Sequence, residues 1–519
     1  MQLTYPVVVK IIEKWFKILT RAYGVKFEEK PFILRPYQKR VLKEIIENPG
    51  KNILIEKSRQ MGISWLLAAW FAILFLCGSN EQLLVLGKTE DLIDNAVVDT
   101  NTLMGKMKFL ILTANEPAIK MLITKRIRIQ RRMQNLIELN YFFMKNSLLG
   151  NIITGKASSA KGARGGTYTV VMWDEADFTE NSHQIFASIS INSQRIIMLS
   201  TLNLWNRGSM FNDLRRKLKS TADTEEIRNF KSAWHLITIM WSEYFDQEWY
   251  EKQKALLNND PMLIASELDI NDSGTISHTC FSTVGDANFN SKAVYNLELE
   301  NQSVLAFDFG ISDYTTGVAL QYNKTTGEIL VIDAFEIDNV PFSLILQSIW
   351  APSPLILNEI CRRTKPEFAK NFQRFYLNAR TSFYKRFIVS GDPAGSARSI
   401  SSGSSILDEI GKYTTKMIFY REDTESMLSW IRGKADKIYI NPELTNFKEM
   451  VKNYRYEINR DGNPVAPRHD EYSHLADAFR YGILSIRRLF IDGPKMGYAN
   501  QEHNNFDNNK SYRQRYRIN

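Results

Sequence analysis

Short apolar runs alternate with longer helical ones through most of this chain. Residues 52–55, 82–87, 169–173 and 195–199 are too short for helices and have almost no polar face, so they predict strands buried on both sides. Residues 66–77 are apolar all round and predict a buried helix. Residues 7–23, 36–47 and 91–107 also have helical spacing. Between residues 120 and 132, Ile127 and Ile129 alternate with Arg126 and Arg128, which predicts a strand with one charged face. A solvated face is the default reading there, and a DNA-facing or neighbour-facing edge is the sharper one. Residues 203–300 are mixed, with short helices such as 247–257 and a Gly/Ser/Thr/Asn-rich linker at 273–292. A second group of strands follows at 304–309, 316–322, 329–335 and 386–390, and a helix opens near His474.

The turn between the first strand and the buried helix reads Glu56, Lys57, Ser58, Arg59, Gln60, Met61, Gly62, Ile63, Ser64. Strand, glycine-bearing turn and helix in that order make a phosphate cradle: backbone N–H groups turn inward and the helix N-terminus adds partial positive charge. Against the pattern GxxxxGK[ST], Gly62 and Ser64 match, with Ser64 placed to hold Mg²⁺. Ile63 stands where the lysine belongs, so the cation must come from Lys57 or Arg59. The strand at 169–173 ends in Asp174 and Glu175, the Walker B arrangement: one carboxylate for the Mg²⁺ shell, the next to orient and deprotonate water. Ser200 and Thr201 end the following strand and suit a link between nucleotide state and movement.

In the second half, Asp308 lies at a strand end, Asp392 follows another strand, and His474 and Asp477 share a helix face. Three acids on two strands and a helix can converge on one point. That is a ribonuclease H-like layout, in which carboxylates hold two Mg²⁺ or Mn²⁺ ions for attack on a phosphodiester. Hard oxygen ligands suit those ions. Asp313 and Asp470 are neighbouring acids of lower interest.

Composition narrows the classes. At 519 residues the chain exceeds one usual core, and 44% hydrophobic with 24% charged residues describes a globular protein. A net charge of +9 favours a polyanionic partner. Cys77, Cys280 and Cys361 are widely spaced, which argues against a disulfide framework or zinc site. No secretory signal and no membrane span are expected. Residues 492–519 are rich in Asn, Gln, Arg and Tyr, with too little apolar surface to fold alone.

Together, Ser58-Arg59-Gln60-Met61-Gly62 with Lys57 at the loop's start, Asp174-Glu175, Ser200-Thr201, and the acids of the second half resemble the large terminase subunits that package DNA into phage heads. The resemblance runs from about residue 34 to 482. It implies ATP with Mg²⁺ in the first half, with Gln38 reading adenine, and Lys57, Ser58, Arg59, Gln60, Gly62, Ser64 and Asp174 around the nucleotide. Glu175 is the implied catalytic carboxylate that deprotonates water, and Arg59 and Arg164 are rival arginine fingers. In the second half it matches Asp308, Asp392 and Asp477 to nuclease metal ligands, with His474 auxiliary in some members. The expected architecture is α/β: a P-loop ATPase domain at 1–215, a helical lid and linker at 216–295, a ribonuclease H-like nuclease at 296–490 and a basic tail at 491–519. Implied partners are double-stranded DNA, a procapsid portal, a small terminase subunit and further copies in a ring. The implied location is the host cytoplasm, with transient docking on the procapsid. The rivals are a docking nuclease whose ATPase has lapsed through Ile63, and a helicase- or resolvase-like DNA enzyme.

Overall fold

The computed structural model describes residues 3–21, 27–129, 132–158, 165–204, 208–272, 279–309, 314–380, 384–392, 405–458 and 464–493. The chain divides into two compact units, one built mainly from Met1–Leu257 with Met262–Ile276, the other mainly from Ser277–Glu457 with Val465–Asn519. Among the described residues no helix is long and apolar enough to cross a membrane.

The first unit is built on an eight-stranded sheet. In chain order its strands are β1 (Asn52–Lys57), β2 (Gln82–Gly87), β3 (Ile137–Asn140), β4 (Phe143–Asn146), β5 (Asn151–Ala157), β6 (Val170–Asp174), β7 (Ile196–Ser200) and β8 (Trp234–Ile239). Their spatial order is β8-β1-β7-β6-β2-β5-β4-β3, and the first six run parallel. The apolar runs are buried on both faces, as a parallel sheet requires; every residue of β6 and β7 is inaccessible or nearly so. Helix α1 (Pro36–Glu47) precedes β1, and α2 (Ile63–Cys77) follows it. Trp65 and Cys77 are only partly buried; nearly all the rest of α2 lies in the core, including Ile63 at 1% exposure.

Four expectations change here. Residues 7–23 are helical only as far as Trp15, and Lys17–Arg21 is a strand paired antiparallel with Phe27–Pro31. Residues 91–107 do not form one helix. They give a single helical turn at Glu90–Ile93 and a separate helix, α3 (Leu103–Leu112). The break follows from Asp94, which turns inward to accept from Lys108 Nζ at 2.6 Å and Phe142 N at 2.7 Å, and from Thr102, whose hydroxyl caps α3 by accepting from Gly105 N. The basic segment from 120 begins in a helix, Pro117–Thr124, and only Arg126–Ile129 is strand, paired in a hairpin with Arg132–Asn135. The stretch 216–295 is not a helical lid throughout, because β8 lies within it and adds a parallel strand beside β1. A weak alternation of half-buried positions in β8 hid that strand from the pattern.

A buried ion cluster ties this edge together. Glu56, fully buried at the end of β1, pairs with Arg215 of α4 (Met210–Lys219) and with Lys219 Nζ at 2.6 Å, and accepts from Thr238 Oγ1 on β8. Arg215 also pairs with Asp272.

The second unit holds a five-stranded sheet of β9 (Ser303–Phe309), β10 (Thr315–Asn323), β11 (Glu328–Ile337), β12 (Ile388–Gly391) and β13 (Ile438–Ile440), in the order β12-β9-β10-β11-β13. Strands β9, β10 and β11 are antiparallel neighbours and β12 runs parallel to β9, giving the ribonuclease H-like arrangement read from the sequence. Helix α5 (Ser473–Ile486) lies across β9 and β10. Gly482 allows its close approach: a Cβ there would stand 2.4 Å from Leu320 Cδ1 and 3.1 Å from Ala306 Cβ.

Removing one member of the Glu56 cluster should leave an uncompensated buried charge. Arg215→Ala is expected to cost about 3–5 kcal/mol in a denaturant titration of the first unit. The double variant Glu56→Gln, Arg215→Met should recover most of that loss.

Candidate nucleotide and nuclease sites

The carboxyl ends of β1, β6 and β7 meet at one edge of the first sheet, and the turn after β1 carries the glycine the cradle needs. Gly62 sits at φ +68° and Gln60 at φ +64°, both left-handed, so the backbone curls before α2 begins. Gln38 Nε2 lies 3.1 Å from where a Gly62 Cβ would stand. Ser64, in the first turn of α2, donates to Asp174 Oδ2 at 2.9 Å. Lys57 is buried, with Nζ 3.7 Å from Glu175 Oε1. Glu175 itself is left-handed at φ +51°, an unfavourable conformation for a side chain with a Cβ, directly after the buried strand. Burial pushes its carboxyl up; Lys57 opposes this, and Asp174 and Glu267 add to it.

Other expected residues serve the loop itself. Gln38 accepts from Arg35 N at 3.1 Å and donates weakly to Gly62 O at 3.4 Å, while Tyr37 Oη donates to Met61 O at 2.6 Å. Those bonds brace α1 against the turn, and the Gln38 amide expected to read adenine is engaged in them. Ser58 is wholly buried: its hydroxyl donates to Leu268 O at 2.5 Å and accepts from Trp241 N at 2.9 Å. Arg59 is exposed, its N–H bonded to Glu267 O and its guanidinium 3.4 Å from the Glu267 carboxylate. Arg164 lies outside the described residues, as does Asp313.

The sequence reading missed Asp177, three residues past Asp174 and fully buried. It accepts from Asn203 N, from Ser209 Oγ and from Asn212 Nδ2, while its own N–H donates to Ser200 Oγ at 3.3 Å. The segment after Glu175 is thereby fastened to the end of β7, where Thr201 is also buried. Burial pushes the Asp177 carboxyl up to about 7, against the pull of these hydrogen bonds.

In the second unit Asp308 is the penultimate residue of β9 and Asp392 directly follows β12, whose Gly391 is the register partner of Phe307. Asp308 Oδ2 is 2.8 Å from His474 Nδ1 on α5. Thr316, opposite Asp308, donates to His474 O at 2.9 Å and so fixes the helix against the strand. Burial raises the Asp308 carboxyl; the His474 bond opposes this, and the charges of Asp477 and Asp392 raise it further. Asp477 is paired with Arg480 at 2.8 Å. Tyr481, one turn beyond Asp477, was missed by the sequence reading. Burial raises its hydroxyl, Arg480 lowers it, and Asp392, Asp477 and Asp308 raise it again.

Among the described residues, no three carboxylates, imidazoles or thiols are gathered closely enough to hold a metal ion as they stand. As they stand, Asp308 is bonded to His474 and Asp477 is paired with Arg480. Oxygen donors of this kind suit a hard divalent cation, and the charges of Asp477 and Asp392 act on Asp308.

Asp177 supplies a stability test. Its folded pKa lies above its unfolded value, so its contribution is full below about pH 4 and is lost as pH rises through about 7. Asp177→Asn should flatten the fall in thermal midpoint between pH 5 and 8 relative to wild type. An unchanged slope would show that Asp177 does not titrate there.

The sequence matches no protein-family model and no curated protein. Among solved structures, the chain is similar to a large terminase from a thermophilic bacteriophage, with 12% identity and a TM-score of 0.42 over 86% of this chain and 97% of that one. It is also similar to the HK97 bacteriophage large terminase, with 12% identity and a TM-score of 0.37 over 92% and 99%. The g2p nuclease domain from bacteriophage SPP1, with bound Mn, matches at 16% identity and a TM-score of 0.27 over 40% of this chain and 98% of that domain. In structure, the chain's likeness is to phage large terminases.

Proposed function

We propose that the chain is the ATP-driven motor and nuclease of viral genome packaging. The observation that carries the motor half is the Ser64–Asp174 bond at 2.9 Å, which joins the cradle's hydroxyl to the strand-end carboxylate. Those two oxygens are the pair that would hold Mg²⁺ on a triphosphate, and Mg²⁺ would spread the charge developing on the transferred phosphoryl group. Lys57 is the buried cation of the turn and lies beside Glu175. Glu175, its carboxyl raised by burial, would take a proton from the attacking water, with Lys57 steadying its anion. Ser200 and Asp177 would carry the change at Glu175 into α4, through Ser209 and Asn212.

For the nuclease half, Asp308, Asp392 and Asp477 are the residues that would hold two Mg²⁺ or Mn²⁺ ions, with His474 auxiliary. Such ions activate water and neutralise the leaving oxygen of a phosphodiester. Cation binding would draw Asp308 from His474 and Asp477 from Arg480, replacing one-to-one pairs by a shared positive centre. Burial, and after it the charges of Asp477 and Asp392, raises the Asp308 carboxyl, and a bound cation would offset both.

Double-stranded DNA is the proposed substrate, contacted mainly through phosphates and therefore salt-sensitively, as the +9 net charge suits. A procapsid portal, a small terminase subunit and a ring of further copies are the proposed partners, in the host cytoplasm.

The two halves should separate by mutation. Glu175→Gln should reduce ATP turnover at least ~100-fold, the lower range for a positioned general base, while nucleotide binding and Mn²⁺-dependent plasmid cleavage persist. Asp392→Ala should abolish cleavage and leave ATP turnover in place. Full plasmid cleavage by Asp392→Ala would contradict the metal assignment.

A further inference from the structure

The cradle lacks a lysine where its pattern calls for one, and the structure gives the reason. Ile63 is packed into the hydrophobic core of the first unit, so that position serves folding. Lys57 covers the Glu175 side of the site. Helix α3 packs against α2, the helix that carries Ser64. There Phe109 meets Trp65, the residue after Ser64, edge to face, with ring centroids 6.1 Å apart at 80°. Lys106, one turn earlier on the same face of α3, brings Nζ to 5.9 Å from the centre of the Trp65 ring.

The setting of Lys106 differs from that of a surface lysine. Its ammonium donates to two backbone carbonyls, Asn101 O at 3.2 Å and Thr102 O at 3.5 Å, and among the described residues it makes no ion pair with a carboxylate. Burial disfavours its charge, and the two anions that act on it are Asp174, more strongly, and Asp99. Lys106 is half-buried, and a cation partly withdrawn from water gains from an anion in its shell. The Trp65 ring lies beside it, and Asp174, the carboxylate that pairs with Ser64, acts on it electrostatically.

We propose that Lys106, beside Trp65, is a phosphate-binding residue of the nucleotide site, supplying a second cation in addition to Lys57. This rests on the nucleotide reading of the turn. The ligand is a nucleoside triphosphate with its divalent cation, and the group recognised is the terminal phosphate. Lys106 would exchange its longer carbonyl bond for a charge-assisted one to a phosphate oxygen. Loss of the cation should therefore weaken triphosphate binding more than diphosphate binding.

The test is the affinity of the full chain for ATPγS and for ADP, each with Mg²⁺, in wild type, Lys106→Met and Lys106→Arg. The methionine variant is expected to lose about tenfold or more toward ATPγS and less than about threefold toward ADP, while arginine keeps most of the triphosphate affinity. Lys106→Gln, which still donates to the two carbonyls, gives the same comparison if methionine impairs folding. Equal losses for both nucleotides, or no loss, would overturn the assignment to Lys106 and leave the site's nucleotide reading standing. Failure of the wild type to bind either nucleotide would overturn both.

Discussion

A single hydrogen bond, from Ser64 to Asp174, depends on nearly everything else in the first unit. The two residues are 110 positions apart, and they meet only because β7 holds β1 and β6 one strand apart and in parallel register. The helix bearing Ser64 is fixed by burial of almost its whole surface, which is why the lysine position could be given over to Ile63. The turn itself is pinned from outside: Tyr37 and Gln38 hold Met61 and Gly62, while Trp241, Glu267 and Leu268 hold Ser58 and Arg59. A turn whose backbone is preset in this way would need little ordering to receive an anion.

The second unit answers a different constraint, the mutual influence of carboxylates at strand ends and on a helix. Hydrogen bonding to His474 and ion pairing with Arg480 offset the repulsion among Asp308, Asp392 and Asp477. The partners are themselves on α5, so the helix brings both acid and neutraliser to the strand ends. Thr316 and Gly482 set how closely that helix lies on the sheet, one by a bond to His474 O and the other by having no side chain.

The strands were legible because burial on both faces leaves an unbroken apolar run, and β1, β2, β6 and β7 stand within about two residues of where the pattern puts them. The carboxylates at strand ends were legible for the same reason, since they interrupt such runs abruptly. The strand β8 was not, because only half of its positions are buried. Asp177, Lys106 and Tyr481 carry no local signature: what distinguishes them is burial beside residues 23 to about 90 positions away, as with Asp177 and Ser200 or Tyr481 and Asp392. Ser58 and Gln38 show the converse, residues marked by motif whose side chains are engaged in bracing the loop.

The central claim is that Lys57 takes the place of the missing P-loop lysine in a working Mg²⁺–nucleotide site. Steady-state ATP hydrolysis by the purified chain, with and without Mg²⁺, tests it when wild type is compared with Lys57→Ala. Magnesium-dependent turnover in the wild type that disappears in the variant is the predicted result. Turnover that survives in Lys57→Ala, or that is absent from the wild type even with DNA and procapsids supplied, would contradict it.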